Sequence, residues 1–136
     1  MNLVLGHGHN YNKTPRCLTI PKDEWDKKRD NKQLLYIDND EECNPDIVLD
    51  LETHWNMFPD DYTDTIIDTT GLGSWMFNQL FWDEVYRVLN PGGCMFSRRK
   101  TNVVCSSSDY KRSKFEVEVV SEYVIKYIKP ELFIIN

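Results

Sequence analysis

Short apolar runs separated by polar or glycine-containing turns dominate the first two thirds of the chain. A short apolar run that is bounded by turn residues indicates a buried strand. We therefore expect five core strands, over residues 3–5, 34–37, 47–49, 65–67 and 94–96. The first four of these runs lead into Gly6, Asp38, Asp50 and Asp68.

Two segments carry helix signals. Pro21 is followed by Asp23 and Glu24, and a proline at the first position with acids in the first turn is typical of a helix start. We expect this short helix to end near residues 29–31. A second helix is predicted by apolar residues that recur at three- and four-residue steps and form one stripe: Phe77, Leu80, Phe81, Val85, Val88 and Leu89. The sequence Asn-Pro-Gly-Gly at 90–93 is predicted to stop it.

The last part of the chain adds two further strand signals. Apolar and acidic residues alternate over residues 115–119, which indicates a strand with one solvated face. Residues 132–135 form a final apolar run. Near-continuous apolar strands imply a parallel sheet buried on both faces. We therefore predict an α/β three-layer sandwich of the doubly wound kind, mostly parallel, with the last strand pair as an antiparallel edge.

Length and composition narrow the class of protein. A chain of 136 residues is expected to form a single domain over residues 1–136. Its 40% hydrophobic and 28% charged residues are ordinary globular values, which exclude a disordered tail and a collagen-like fibre. No apolar run approaches the roughly 18 residues that span a bilayer, so we expect no membrane partner.

Charge and cysteine usage suggest an intracellular, cytoplasmic protein. The formal net charge of −6 gives no bulk electrostatic case for binding nucleic acid. Basic strips at 98–100 and 111–114 are interpreted as solvated loops. The start of the chain lacks the basic and apolar regions of a signal peptide. No two of the four cysteines have Cys-x-x-Cys spacing, so we expect reduced thiols, with Cys94 buried in a strand.

Candidate chemistry lies at the strand ends, because ligands of open α/β sheets bind outside the carboxyl ends of the strands. Glycines at the end of the first strand allow a ligand to approach the backbone closely. Asp38, after the second strand, is well placed to accept hydrogen bonds from ribose hydroxyls. Asp50, one strand over, could accept from an exocyclic amine such as that of adenine. Each of these residues, taken alone, is more often an ordinary turn or cap residue than part of a site.

Taken in order, these features resemble the class I S-adenosylmethionine-dependent methyltransferases. The segments that carry the resemblance are Leu-Val-Leu-Gly-His-Gly at 3–8, Leu-Tyr-Ile-Asp at 35–38, Pro-Asp-Ile-Val-Leu-Asp-Leu at 45–51, the entry into the fourth strand at 58–67, and the helix that ends in Pro-Gly-Gly at 82–93. More loosely, residues 115–119 resemble the sixth strand of the family and residues 132–135 the seventh.

The resemblance implies a Rossmann-like sheet, S-adenosylmethionine as the cofactor and an unidentified methyl acceptor. It implies a cofactor site formed by Gly6, His7, Gly8, Asp38, Asp50 and Leu51. Asp68 ends the fourth strand and is the candidate catalytic residue near the methyl group. Trp55 could flank an adenine ring or belong to the edge of the core.

Departures from the family pattern affect two sequence motifs and the helices that usually border the cofactor. Asn10 stands where the first motif usually has a third small residue, and Asp-Thr-Thr-Gly at 68–71 replaces the Asn/Asp-Pro-Pro-Tyr of amino methyltransferases. The helix after the first strand is short, the helix between the second and third strands is missing, and no helix precedes the first strand. We therefore expect a homodimer or a partner subunit to complete the site, with Trp75, Met76 and Phe77 as candidate contacts.

Two other functions remain open at this point. The chain could be a catalytically inactive methyltransferase-like binding or regulatory subunit. A nicotinamide-dependent oxidoreductase fits less well, because the glycine loop lacks a third glycine. His7 and His9 could share a metal with His54 or Asp38, but we interpret them as polar loop residues and predict no metal site.

Overall fold

Seven strands form one mixed sheet in the order β3-β2-β1-β4-β5-β7-β6. The computed structural model describes residues 1–6, 20–69, 78–98 and 114–131. The strands are β1 (Asn2–Leu5), β2 (Leu34–Asp38), β3 (Ile47–Val48), β4 (Thr63–Asp68), β5 (Leu89–Arg98), β6 (Glu116–Val119) and β7 (Val124–Ile128). The five predicted core strands are β1 to β5, and all of their pairings with one another are parallel.

The antiparallel edge is confirmed, and it contains one strand that the sequence did not predict. β7 pairs antiparallel with β5 on one side and with β6 on the other. That strand is Val124–Ile128, whereas the predicted strand at residues 132–135 lies outside the described residues. Lys126 interrupts the apolar run of β7, which concealed the strand in the sequence. Ile125 and Tyr127 are nevertheless buried, as the alternation of a strand requires.

The two predicted helices are present as α1 (Lys22–Asp30) and α2 (Gln79–Val88). Pro21 precedes α1 as its N-cap rather than occupying its first turn. Asn78 caps α2, because its side-chain oxygen accepts hydrogen bonds from the backbone N–H groups of Leu80 (2.9 Å) and Phe81 (3.3 Å). Leu89 already has extended geometry, so the Asn-Pro-Gly-Gly segment lies within β5 rather than in a turn before it.

Each face of the sheet packs against one of these helices, which confirms the three-layer arrangement. On one face, Phe81, Val85 and Val88 of α2 join the larger core cluster together with Leu3 and Leu5 of β1. On the other face, Trp25 of α1 packs in a smaller cluster, with Val4, Leu34, Tyr36 and Ile67. Adjacent residues of β1 therefore point to opposite cores, as expected for a strand buried on both faces.

The connections before and after β3 contain little regular secondary structure. β2 and β3 are joined through a single 3-10 turn, Glu41–Cys43. The segment 49–62, between β3 and β4, contains turns and no helix. This segment is tied to α2 by Arg87, whose guanidinium donates to the carbonyl oxygens of Trp55 (3.0 Å) and Phe58 (2.8 Å). None of the described helices combines the length and apolar character needed to cross a membrane.

Candidate functional site

The ends of four neighbouring strands bring the principal candidate residues to one edge of the sheet. Because β1, β2, β4 and β5 are parallel, their carboxyl ends lie on the same edge. Leu5 pairs with Ile37 on one side and with Asp68 on the other, and Asp68 pairs in turn with Ser97. The strand order reverses between β1 and β4, and such a switch point is where open α/β sheets form a ligand crevice.

Gly6 ends β1 in a backbone conformation that favours glycine. Its φ is +66°, in the left-handed region where a side chain would be strained. Its N–H donates to the carbonyl oxygen of Ile37 (2.8 Å), which fixes the chain beside the end of β2. Residues 7–19 follow, and the predicted site residues His7 and Gly8 therefore lie outside the described residues, as do His9 and Asn10.

Asp38 ends β2 with its carboxylate held from two directions. The Tyr36 hydroxyl donates to Oδ2 (2.7 Å), and the backbone N–H of Asp40 donates to Oδ1 (3.0 Å). The Asp38 residue is 7% exposed. Burial, and next the hydrogen bond to Asp38, raise the pKa of Tyr36, so the phenol stays protonated and acts as a donor.

Asp68 ends β4 in a fully buried position. Its Oδ2 accepts a hydrogen bond from the Ser97 hydroxyl (2.8 Å), which comes from the end of β5. The next residue, Thr69, donates from both its N–H and its hydroxyl to the carbonyl oxygen of Leu5. β1 lies between β2 and β4, so roughly 10 Å, two inter-strand spacings, separates the strands that carry Asp38 and Asp68.

Asp50 and Leu51 follow β3, but their side chains have different surroundings. Asp50 is exposed, and its Oδ1 accepts from the N–H of Glu52 (2.9 Å) in a local turn. Leu51 is buried in the larger core cluster. Trp55 is also in that core, with its indole N–H donating to the Leu51 carbonyl (3.2 Å) and its ring edge-on to Phe81. The possibility that Trp55 flanks an adenine ring is thus corrected in favour of a core position.

Tyr36 and Ser97 belong to this edge, and the sequence interpretation missed both. Residues two apart on a strand share a face, so the spacing of Tyr36 and Asp38 was a usable signal. Ser97 gave no such signal, since its contact with Asp68 depends on which strands become neighbours.

Trp75, Met76 and Phe77 lie outside the described residues. Within the described ranges, no group of three or more metal-ligating side chains is close enough to hold an ion.

Two clefts formed by described residues lie at the other edge of the sheet, where the parallel strands begin. One has a volume of about 430 Å³ and is lined by Met1, Asn2, Lys28, Lys32 and Gln33. The other has a volume of about 340 Å³ and is lined by Asp60, Asp61, Asp83, Tyr86, Arg87, Lys114 and Lys129. The second is filled with paired charges: the Lys129 ammonium, for example, donates to Asp61 (3.0 Å) and to the Leu89 carbonyl (2.8 Å).

Solved structures of other proteins share the fold of this chain, although its sequence matches no known family. No protein-family model matches the sequence, and neither does any curated protein. An S-adenosylmethionine-dependent methyltransferase from Methanosarcina mazei superposes with a TM-score of 0.59 at 12% identity, over 96% of this chain and 92% of the other. One from Aquifex aeolicus gives 0.57 at 14%, over 93% and 79%.

A third solved structure is a complex between the Haloferax volcanii Trm112 methyltransferase activator and its candidate methyltransferase. It matches with a TM-score of 0.58 at 13% identity, over 96% of this chain and 82% of the other. At identities this low the likeness concerns the fold. The chain has the Rossmann-like fold of the S-adenosylmethionine-dependent methyltransferases, as the sequence resemblance predicted.

Proposed function

We propose that the protein is an S-adenosylmethionine-dependent methyltransferase whose acceptor is still to be identified. One observation carries the proposal: an oriented carboxylate, Asp38, ends β2 beside Gly6, whose left-handed backbone ends β1. A strand-end acid beside a glycine turn suits a ribose and the chain attached to it. The fold supports the same cofactor class, and nothing in the described residues favours an inactive subunit instead.

The proposed cofactor residues divide by the part of the ligand that each would meet. Gly6, together with His7 and Gly8, would lie against the chain that is attached to the ribose. Asp38 accepts hydrogen bonds from the ribose hydroxyls. Asp50, which is exposed after β3, borders the adenine, and Leu51, whose side chain is buried in the core, would meet it through its backbone.

Methyl transfer from S-adenosylmethionine does not require a specific catalytic side chain. Bound S-adenosylmethionine supplies a methyl group on a positively charged sulfur that is already a good leaving group. The chain then has to hold donor and acceptor in line and exclude water. Asp68 is the proposed catalytic residue: at the end of β4, held by Ser97, it would orient the acceptor and take a proton from it where the acceptor must lose one.

Calorimetric titration with S-adenosylmethionine and S-adenosylhomocysteine tests the proposal. The wild-type chain should bind both, and Asp38→Ala should weaken binding by about 1.5–3 kcal/mol, the range for hydrogen bonds to a charged group. Asp64→Ala is the matched control: it removes an exposed carboxylate nearer the amino end of β4 and should leave affinity unchanged. Absence of binding to either compound would contradict the proposal. Unchanged affinity in a folded Asp38→Ala protein would remove Asp38 from the site.

We further propose that a second copy or a partner subunit covers the cofactor. The 3-10 turn after β2 and the helix-free segment 49–62 leave less regular structure around β3 than a connection with a helix would provide. One structure of the same fold is a complex with an activator, which makes such a partner reasonable here. Specific activity should rise with chain concentration if a second copy supplies the cover. Fast turnover by a demonstrated monomer would contradict the proposal.

A single methyltransferase-like domain and a cytoplasmic location stay predictions from the sequence.

A further inference from the structure

We infer that Tyr36 is a positioning residue for the cofactor: its hydroxyl fixes the orientation in which Asp38 meets the ribose. The inference rests on the proposed function and adds to it a residue that does not itself touch the ligand. It starts from the 2.7 Å hydrogen bond between the Tyr36 hydroxyl and Asp38 Oδ2.

Two donors set the plane of the Asp38 carboxylate. Tyr36 and Asp38 lie two residues apart on β2 and so project from the same face of the sheet. Tyr36 holds Oδ2, and the backbone N–H of Asp40 holds Oδ1 (3.0 Å). Because a carboxylate oxygen can accept more than one hydrogen bond, this arrangement orients the group while leaving it able to act as an acceptor.

The Tyr36 side chain is rigid enough for this task. Its ring is 1% exposed and packs with Val4, Trp25 and Leu34 in the smaller core cluster. Its backbone is fixed by Asp46, which accepts from the Tyr36 N–H through Oδ2 (2.7 Å) and donates its own N–H to the Tyr36 carbonyl (2.9 Å). The phenol therefore cannot turn away from Asp38 without repacking the core.

The chemistry of the phenol also favours donation. Burial, followed by the neighbouring Asp38, raises its pKa, so the hydroxyl keeps its proton. The Cys43 thiol adjoins it, and burial together with Asp40 raises the pKa of that thiol in turn. The Tyr36 hydroxyl thus donates to Asp38, whose carboxylate is oriented by its neighbours rather than by the ligand. Such preorganisation reduces the ordering cost of binding.

The test compares two ligands and four proteins by calorimetry: wild type, Tyr36→Phe, Asp38→Ala and the double variant. The ligands are S-adenosylhomocysteine and its analogue without the two ribose hydroxyls. Tyr127→Phe is the matched control, since it removes a hydroxyl from a fully buried tyrosine on β7, in the other core cluster. Tyr36→Phe should weaken S-adenosylhomocysteine binding roughly three- to tenfold, the effect of losing one ordinary hydrogen bond. It should leave binding of the analogue unchanged.

A merely structural role for Tyr36 would lower affinity for both ligands alike. The double variant should bind as Asp38→Ala does, because the two residues act on the ligand through one group. If Tyr36→Phe does not fold, 3-fluorotyrosine at position 36 replaces it. This residue keeps the ring and changes the strength of the donor, so it should alter affinity for S-adenosylhomocysteine alone.

The outcomes separate the inference from the proposed function. A wild-type chain that binds S-adenosylhomocysteine while Tyr36→Phe binds it equally well overturns the inference and leaves the proposed function standing. Equal losses for both ligands, or losses that add in the double variant, also overturn it. A wild-type chain that does not bind S-adenosylhomocysteine overturns the proposed function and the inference with it.

Discussion

Buried charged side chains divide the molecule into a structural end and a candidate functional end. At the beginning of the parallel strands, Lys129 reaches Asp61, and Glu84 reaches Arg87 (2.7 Å). The Lys129–Asp61 pair joins the segment after β7 to the segment before β4, and Glu84 and Arg87, both on α2, each bond to the backbone of Trp55. At the carboxyl ends, Asp38 is oriented by the Tyr36 hydroxyl and a backbone N–H. A carboxylate whose orientation is set by the protein presents its oxygens to a ligand in a fixed direction, which is the physical reason to place function there.

Glu84 gives a prediction about pH. Burial opposes its ionisation, but hydrogen bonds from Arg87 and from the Trp55 N–H outweigh burial and lower the pKa of Glu84. As its pKa is lower in the folded than in the unfolded state, the unfolded state takes up the proton first as the pH falls. Its stabilising contribution is therefore complete above the ordinary glutamate pKa of about 4.3 and is lost as the pH drops through the lowered value.

Denaturant unfolding of wild type and Glu84→Gln between pH 7 and pH 3 measures this contribution. At pH 7 the variant should be less stable by about 1.5–3 kcal/mol, the range for losing hydrogen bonds to a charged group. The difference between the two proteins should shrink as the pH falls below about 4.3. Asp83→Asn, on the exposed side of α2, is the control and should follow wild type throughout. A difference that stayed constant with pH would show that Glu84 stabilises by packing rather than by charge.

At the scale of elements, the sequence predicted what depends on local pattern and missed what depends on neighbours. The core strands were predictable because each apolar run coincides with a hydrogen-bonded strand. β3 is shorter than expected, because it is an edge strand and Val48 is 50% exposed. The Tyr36–Asp38 contact was within reach of strand alternation, and the Glu84–Arg87 pair was within reach of the three-residue spacing on a helix. The Ser97–Asp68 contact depends on which strands become neighbours, which no spacing specifies.

The Pro-Gly-Gly segment gives the prediction for β5. A Cβ on Gly93 would lie 2.9 Å from the backbone oxygens of both Asn90 and Asp64, and backbone atoms cannot move aside cheaply. Gly93→Ala should therefore destabilise the fold by about 2–3 kcal/mol, as overpacking does. Gly92→Ala is the paired variant: its φ of +84° adds strain of about 1 kcal/mol, but its new Cβ meets only the flexible side chain of Glu131. Thermal or denaturant unfolding that ranked Gly92→Ala as the more harmful change would refute this account of the segment.

At the scale of the whole molecule, the parallel order of five strands gives the sheet two unlike edges. One carries the strand ends with Gly6, Asp38 and Asp68, and the other carries the two described clefts. The chemistry favours the first, because the clefts are lined by lysines or by charges already paired with one another, whereas the strand ends present a glycine turn and an oriented acceptor.

Hydrogen exchange measured by mass spectrometry distinguishes the two edges in one experiment. At an S-adenosylhomocysteine concentration 100-fold above Kd, ligand binding stabilises by about 2.7 kcal/mol, and amides that exchange by local opening at the contact edge should slow by up to about 100-fold. We expect this at Gly6, Asn39 and Thr69, which follow the strand ends. Local exchange at Lys32 and Asp60, which line the clefts, should not change. Protection at the clefts with none at the strand ends would place the ligand at the opposite edge. Asp38 would then have no role in binding, because no side chain at the end of a strand can reach a ligand bound where the strands begin.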